Sequence, residues 1–369
     1  MASRFTLVKQ DRIGARLGRL VTPHGIVETP AFMPVGTQGT VKAMMPRDLK
    51  EMGCQILLGN TYHLYLRPGA ELIRELGGLH RFMGWDGPIL TDSGGYQVFS
   101  LGAMRKLSEE GVRFQSHLDG SYHLLTPESV VQIQEALGSD IAMVLDECAP
   151  HDASRDYVRG STARTIRWAE RCLRARSRTD QLMFAIVQGG MYLDLREQCA
   201  REMNVMPFDG FAVGGLGVGE GEEQLHAIAA STVAWLPDAR PRYLMGIGRP
   251  IDLMNAVRVG FDLFDCVLPT RNARNGTLFT AQGKVSIKRA EFASDPRPVD
   301  ESCNCYCCRN FSRAYLRHLY VAGEILSSQL NSLHNLYFYH RLMERCREAI
   351  RREQTDFWSR ELAAFSQPV

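Results

Sequence analysis

TPESVVQIQEALGSDIAMVLD, residues 126–146, holds one complete helix-then-strand unit in a single stretch. Thr126 stands at a helix N-cap, where its hydroxyl accepts from an otherwise unpaired backbone N–H. Pro127 follows at the first helical position and Glu128 adds a negative charge to the first turn. Val130, Val131, Ile133 and Leu137 then recur at helical spacing, and Gly138 closes the helix. Ile141–Leu145 is apolar throughout, without the alternation of a half-exposed strand, so it reads as a strand covered on both faces.

Similar runs lie at helix-compatible intervals on either side: 31–35, 55–58, 88–91, 182–187, 211–213, 243–247 and 263–268. Residues 161–176 and 222–235 read as helices between them. Eight buried strands alternating with helices make this an α/β chain and favour a (β/α)8 TIM-type barrel over a doubly wound sheet. The residues closing each run are polar, acidic or glycine: Gly36-Thr37, Gly59-Asn60, Asp92-Ser93-Gly94-Gly95, Asp146-Glu147-Cys148, Gln188-Gly189-Gly190, Gly214-Gly215, Gly246 and Asp265. In a barrel these positions meet on one rim, where active sites are built.

Two insertions interrupt the repeat. Residues 112–124 alternate around Asp119-Gly120, the signature of a two-residue hairpin loop. Residues 276–288 read as a second hairpin that leads into a knot of cysteines. The expected organisation is a barrel over 1–275, a zinc-binding subdomain over 276–335 inserted near the C-terminus, and a C-terminal helix over 336–369 packing back on the barrel.

The 369 residues are 45% hydrophobic and 23% charged, which excludes a disordered chain. The start, Met1–Arg12, has no apolar core and no cleavage-like site, and no apolar run approaches the roughly 18–20 residues of a bilayer span. A cytoplasmic chain with no membrane partner is expected. The net charge of +2 is uneven: residues 271–352 carry 14 Lys and Arg against 7 Asp and Glu, a local +7 on a body of −5. A basic C-terminal quarter suits an anionic partner.

Six of the ten cysteines are scattered, but Cys303, Cys305, Cys307 and Cys308 crowd together. The pattern Cys-x-Cys-x2-Cys with a histidine further on suits a closed tetrahedral zinc site, and soft sulfur ligands disfavour magnesium or calcium. Four protein ligands leave no open position, so the metal would hold the fold and do no chemistry. Spacing leaves Cys307 as a substitute for Cys308, and His318 or His340 as substitutes for His334.

Asp92 and Asp265 end the third and eighth runs, and two carboxylates on one rim are what glycosidic-bond chemistry uses. Asp146 and Gln188 add an acceptor and an amide suited to a purine edge. Gly214-Gly215 lets backbone groups approach a flat ring, and Tyr96 and Met245 are placed to sandwich it. The glycine-rich run 214–221 lacks the Lys-Ser/Thr of a P-loop and the G-x-G-x-x-G spacing, which excludes ATP and NAD. Arg271 and Arg274, three apart just beyond Asp265, suit contacts with a nucleic acid.

These residues resemble one family, the tRNA-guanine transglycosylases. The motifs are Thr91-Asp92-Ser93-Gly94-Gly95-Tyr96-Gln97, Asp146-Glu147-Cys148, Val187-Gln188-Gly189-Gly190, Gly214-Gly215-Leu216, the run from Phe264 through Asp265-Cys266-Val267 to Arg271-Asn272-Ala273-Arg274-Asn275-Gly276, and the cysteine–histidine pattern. They run in order along nearly the whole chain. The resemblance implies an enzyme that exchanges the wobble guanine of tRNAs with GUN anticodons (Tyr, His, Asn, Asp) for a 7-deazaguanine on the way to queuosine. It implies Asp265 as nucleophile on ribose C1′ and Asp92 as general acid/base. It implies a base site of Ser93, Tyr96, Asp146, Cys148, Gln188, Gly214, Gly215, Leu216, Glu220 and Met245, with Glu220 adjusting the backbone at Leu216. Val267, Arg271 and Arg274 would meet the anticodon stem-loop. Cys303, Cys305, Cys308 and His334 match the ligands of one structural zinc per subunit, and a homodimer is implied as well.

The chemistry agrees with that resemblance. Base exchange with retention needs two displacements at one carbon, hence a covalent carboxylate ester. The target nucleotide must leave its stack to reach a rim pocket. Val218 in Gly217-Val218-Gly219 resembles the bacterial form, in which the valine leaves room only for the smaller 7-aminomethyl-7-deazaguanine. Two readings compete: a hydrolase using the same two carboxylates leaves the cysteine knot and the arginine pair unexplained, and a non-catalytic tRNA-binding paralogue is expected to have lost the acids, yet Asp92 and Asp265 are both present.

Overall fold

The computed structural model describes residues 4–100 and 105–365. The ends of the expected units at 1–3 and 366–369 lie outside the described residues. Eight parallel strands close into a barrel in chain order: β1 (Ala31–Gly36), β2 (Leu57–Gly59), β3 (Ile89–Thr91), β4 (Ile141–Met143), β5 (Leu182–Val187), β6 (Gly210–Val213), β7 (Arg242–Leu244) and β8 (Leu263–Cys266). Closure comes from β8 pairing with β1, Leu263 opposite Ala31 through Cys266 opposite Pro34. The expected (β/α)8 class is what forms, because strands such as β5 are buried along their whole length and need cover on both faces.

The repeat unit at 126–146 forms as its capping residues dictate. Helix Pro127–Leu137 opens with a capping box: Thr126 Oγ1 accepts from the Ser129 N–H at 3.1 Å and Ser129 Oγ from the Thr126 N–H at 2.8 Å. Gly138 ends it with φ +74°, a left-handed conformation that suits glycine. The expected helix at 161–176 is longer, Arg155–Ala175, because Ser154 caps a polar first turn that shows no apolar periodicity.

Several apolar runs are shorter as strands than as sequence, β4 among them, which stops at Met143. Strand β7 stops at Leu244, because the chain turns at Gly246 with φ +71°. Strand β8 stops at Cys266, and Leu268 and Pro269 open helix Leu268–Arg274. The first hairpin forms between Val112–Gln115 and Tyr122–Leu125, with Arg105–Leu107 as a third strand. Its loop is wider than the expected two residues: Gln115 pairs with Tyr122, the Gly120 N–H bonds back to Ser116 O at 3.0 Å, and only Gly120 takes positive φ, +76°. The second hairpin pairs Thr277–Thr280 with Gly283–Ser286.

A three-stranded antiparallel sheet, Phe5–Gln10, Arg16–Thr22 and Gly25–Thr29, covers the N-terminal end of the barrel, an element that the pattern of apolar runs does not reveal. Arg16 ties it down through Asp262, 3.3 Å away just before β8. His24 and His80 stack with ring centroids 3.5 Å apart, and both bond Asp140 just before β4. At the other end of the chain, helix Ile325–Arg352 runs unbroken past 335/336. Its first half faces the second hairpin, and Tyr339 packs on Phe32 of β1 with centroids 4.8 Å apart. Helix Thr355–Phe365 follows it. Among the described residues, no helix is long and apolar enough to cross a membrane.

Candidate active site

Beyond β3 the chain turns at Gly94, φ +76°, where a β-carbon would come within 3.2 Å of the Tyr62 backbone nitrogen. The turn points the Asp92 carboxylate, 8% exposed, into the rim. Four donors hold it: Thr61 N–H at 2.8 Å and Gly94 N–H at 3.2 Å on Oδ1, and Asn60 Nδ2 at 2.5 Å and Gln97 Nε2 at 2.7 Å on Oδ2. Burial outweighs these donors and pushes its pKa up to about 6, with the charge of Asp265 adding to the rise. Asp92 is therefore poised to give and take a proton near neutral pH.

Asp265 lies within β8. Its Oδ1 accepts from the buried Tyr243 hydroxyl at 2.6 Å, one strand away, and from the Gly246 N–H at 2.7 Å. Among the described residues no donor reaches Oδ2, which leaves that oxygen's lone pairs available. Burial raises the Asp265 pKa, and the two hydrogen bonds oppose the rise.

Asp146, directly beyond the β4 run, accepts from Ser93 Oγ at 3.2 Å and from Gln188 Nε2 at 2.7 Å. Burial pushes its pKa up to about 6 as well. The glycines beyond β6 are required by this group. A β-carbon at Gly214 would lie 2.6 Å from Gln188 Nε2, and one at Gly215 would lie 2.5 Å from Gln188 Oε1. Ser93, Asp146, Gln188, Gly214 and Gly215 thus form one contiguous cluster.

In the loop that follows, Glu220 accepts from the Gly217 N–H and from the Val218 N–H, the latter at 3.0 Å. These peptides lie next to Leu216, the residue whose backbone Glu220 was expected to adjust. Leu216 and Cys148 are buried, and Met245 and Val267 are partly buried against the core. Tyr96 stands 54% exposed on helix Gly95–Ser100, so a face of its ring is open. Arg271 and Arg274 are exposed on helix Leu268–Arg274, and among the described residues neither guanidinium makes a hydrogen bond or ion pair.

Four members of the site carried no assigned role in the sequence. Asn60 and Gln97 stood inside quoted motifs, so their positions were visible but their bonds to Asp92 were not. Tyr243 reads as one more apolar strand residue. Arg196 belongs to no motif quoted from the sequence, yet it is fully buried against the loops beyond β5 and β6.

Away from the rim, Cys303, Cys305, Cys308 and His334 gather with their ligand atoms within 4.8 Å of one another. The three sulfurs lie 3.8, 3.5 and 3.3 Å from His334 Nδ1. A tetrahedral ion with metal–sulfur bonds of about 2.3 Å and a metal–nitrogen bond of about 2.0 Å needs edges of about 3.5 Å, so the spacing fits. His334 Nε2 donates to Phe279 O at 2.7 Å, which fixes the tautomer with a lone pair toward the sulfurs. Cys307, His318 and His340 stand outside this group. The His24–His80–Asp140 group lacks such convergence: its imidazoles are stacked within 16° of parallel, so their lone pairs do not meet at one point.

A sequence model described as queuine tRNA-ribosyltransferase matches residues 11–367. The chain is 59% identical over 362 residues to the queuine tRNA-ribosyltransferase of Solidesulfovibrio magneticus, covering 98% of this chain and 97% of the relative. It is 57% identical over 355 residues to that of a Thermoanaerobacter species, covering 96% and 95%. The protein of the same name from Pelotomaculum thermopropionicum is 58% identical over 352 residues, covering 95% of each chain. With the family model spanning nearly its whole length, the chain belongs to the queuine tRNA-ribosyltransferase family.

Proposed function

We propose that this tRNA-guanine transglycosylase replaces the wobble guanine of GUN-anticodon tRNAs (Tyr, His, Asn, Asp) with 7-aminomethyl-7-deazaguanine. The observation carrying the reading is the pair Asp92 and Asp265 on one rim, close enough that the charge on one raises the pKa of the other. Asp265 attacks ribose C1′ through its unencumbered Oδ2, and guanine leaves with the bonding pair of the C1′–N9 bond. Protonated Asp92 gives its proton to the departing base and takes one from the incoming base, so the second displacement frees the Asp265 carboxylate and returns Asp92 to its acid form. Two inversions at C1′ give net retention.

Asp146 and Gln188 bind the purine edge, with Ser93 and Cys148 behind them, and the backbone of Gly214, Gly215 and Leu216 binds its other polar atoms. Tyr96 and Met245 stack on the ring faces, and Glu220 orients the peptides beside Leu216. Val218, partly buried with its N–H held by Glu220, favours the smaller aminomethyl base over queuine. Arg271 and Arg274, with Val267 at the base of their helix, receive the anticodon stem-loop. Cys303, Cys305, Cys308 and His334 hold one zinc ion that fixes the hairpin 276–288 against helix Ile325–Arg352. The working form is a cytoplasmic homodimer.

The deciding experiment is incorporation of labelled guanine into unmodified tRNA-Tyr, chased with unlabelled 7-aminomethyl-7-deazaguanine. Irreversible loss of label on the chase supports the reading. Loss only with queuine moves the base preference, and release of guanine without incorporation replaces the transferase by a hydrolase. In parallel, Asp265→Ala abolishes exchange and the covalent RNA adduct on denaturing gels. An adduct that survives removes Asp265 as nucleophile.

A further inference from the structure

Arg196, on helix Leu193–Asn204, is fully buried, and among the described residues no carboxylate pairs with it. A charge placed this way is costly unless something uses it. Burial lowers its pKa to about 10, which still leaves a cation at neutral pH. Its hydrogen bonds all run to backbone carbonyls: Nε to Gly190 O at 2.7 Å, and Nη2 to Gly214 O at 3.1 Å and Gly215 O at 3.4 Å. Nη1 is buried and makes no hydrogen bond. The fold makes room for this placement, since a β-carbon at Gly189 would lie 2.6 Å from both Cγ and the backbone nitrogen of Arg196.

A trans peptide carries its C=O and the following N–H on opposite edges. Drawing the Gly214 carbonyl onto Arg196 therefore turns the Gly215 N–H away from it, and drawing the Gly215 carbonyl turns away the Leu216 N–H. Among the described residues neither N–H makes a hydrogen bond, whereas the next two, at Gly217 and Val218, are taken by Glu220. Two adjacent free donors therefore sit beside Gln188, backed by a full positive charge at the carbonyl end of their peptide dipoles.

We propose that Arg196 is a positioning residue of the exchange reaction, fixing and polarising the Gly214–Gly215 and Gly215–Leu216 peptides as a donor pair for the carbonyl oxygen of the base. The proposal rests on the reading that this rim exchanges a 6-oxopurine. As the C1′–N9 bond breaks, the electron pair enters the purine and its negative charge spreads onto O6 until Asp92 delivers its proton. Preorganised N–H donors stabilise that charge more in the transition state than in the bound substrate, so their loss falls on kcat.

The test uses the full-length chain, unmodified tRNA-Tyr and labelled guanine, with Arg196→Met and Arg196→Lys beside the unaltered protein. Expected for Arg196→Met is a kcat at least tenfold lower with the KM for tRNA within twofold. Arg196→Lys, which retains the charge, should return kcat to within threefold of the unaltered protein. A kcat for Arg196→Met within twofold of the unaltered protein overturns the proposal. So does a drop in Arg196→Met that lysine does not repair, or one matched by an equal rise in the KM for tRNA. If Arg196→Met fails to fold, Arg196→Lys decides alone: at unchanged melting temperature, a loss beyond threefold overturns the proposal and a smaller one supports it. Absence of exchange by the unaltered protein strikes the functional reading itself, which keeps the two failures distinct.

Discussion

The Tyr243 hydroxyl donates to Oδ1 of Asp265 at 2.6 Å, from the neighbouring barrel strand. Burial holds the Tyr243 pKa well above 10, so the hydroxyl stays a donor across the working pH range. The bond lowers the Asp265 pKa against the upward push of burial.

Tyr243→Phe removes that donor, and the Asp265 pKa then rises further. Attack needs the ionised carboxylate, so the acid limb of kcat/KM moves to higher pH, by about 1–2 units for a charged hydrogen bond of about 1.5–3 kcal/mol. Activity falls most along the acid limb and least on the alkaline side of the profile. Profiles from pH 5 to 9 check this, and an acid limb that stays in place would show that Tyr243 does not govern Asp265.

Asp146→Asn separates folding from function. The native carboxyl has a folded pKa of about 6 against an ordinary 3.8, so it binds its proton more tightly when folded. Its contribution to stability is present below pH 3.8 and lost as pH rises through 6. The asparagine does not ionise. The variant should therefore melt higher than the native protein at pH 8, by a margin of at most about 3 kcal/mol, and the margin should shrink toward pH 4. Exchange should be lost at every pH. A melting difference that does not vary with pH would remove the buried charge as its cause.

The barrel was legible because each strand is covered on both faces, which leaves uninterrupted apolar runs such as 182–187. Its rim was legible because Asp92, Asp146, Gln188 and Asp265 directly follow or end such runs. The N-terminal sheet was not, since residues 16–22, RLGRLVT, show neither a continuous apolar run nor a regular alternation, although turn residues flank them at 11–14 and 23–25. Positions acting through a partner distant in sequence were also hidden. Tyr243 gains its meaning from Asp265 across a strand pair, and Arg196 from carbonyls that carry no side-chain signature. The hairpin at 112–124 was placed correctly with the wrong loop, because Asp119-Gly120 marks the left-handed residue but not how many residues precede it.

Cys308→Ser tests the metal cluster. Serine is a poor ligand for a soft ion, and the helix Tyr306–Asn310 that presents Cys308 has its N-cap at Cys305, another member of the cluster. Loss of a structural metal costs about 4 kcal/mol or more, which lowers the melting temperature by on the order of 10 °C. Zinc content by mass spectrometry should fall together with melting temperature. Full zinc occupancy in the variant would remove Cys308 as a ligand.

Arg271→Ala tests the nucleic-acid face. Arg271 and Arg274 project from a seven-residue helix immediately beyond Asp265, and their charges have no partner among the described residues. A phosphate contact by either guanidinium releases cations condensed on the tRNA backbone, and a side chain with no internal partner gives up no ion pair in making it. Removing one phosphate contact should weaken tRNA binding roughly equally for every cognate tRNA. It should also flatten the plot of log K against log salt by about 0.7–0.9. The base site is untouched, so the KM for guanine should hold. Titrations between 50 and 200 mM salt read the slope directly, and a slope equal to that of the unaltered protein would move the anticodon arm to another part of the basic quarter, where most arginines are paired with acids, as Arg297 is with Asp295 at 2.8 Å.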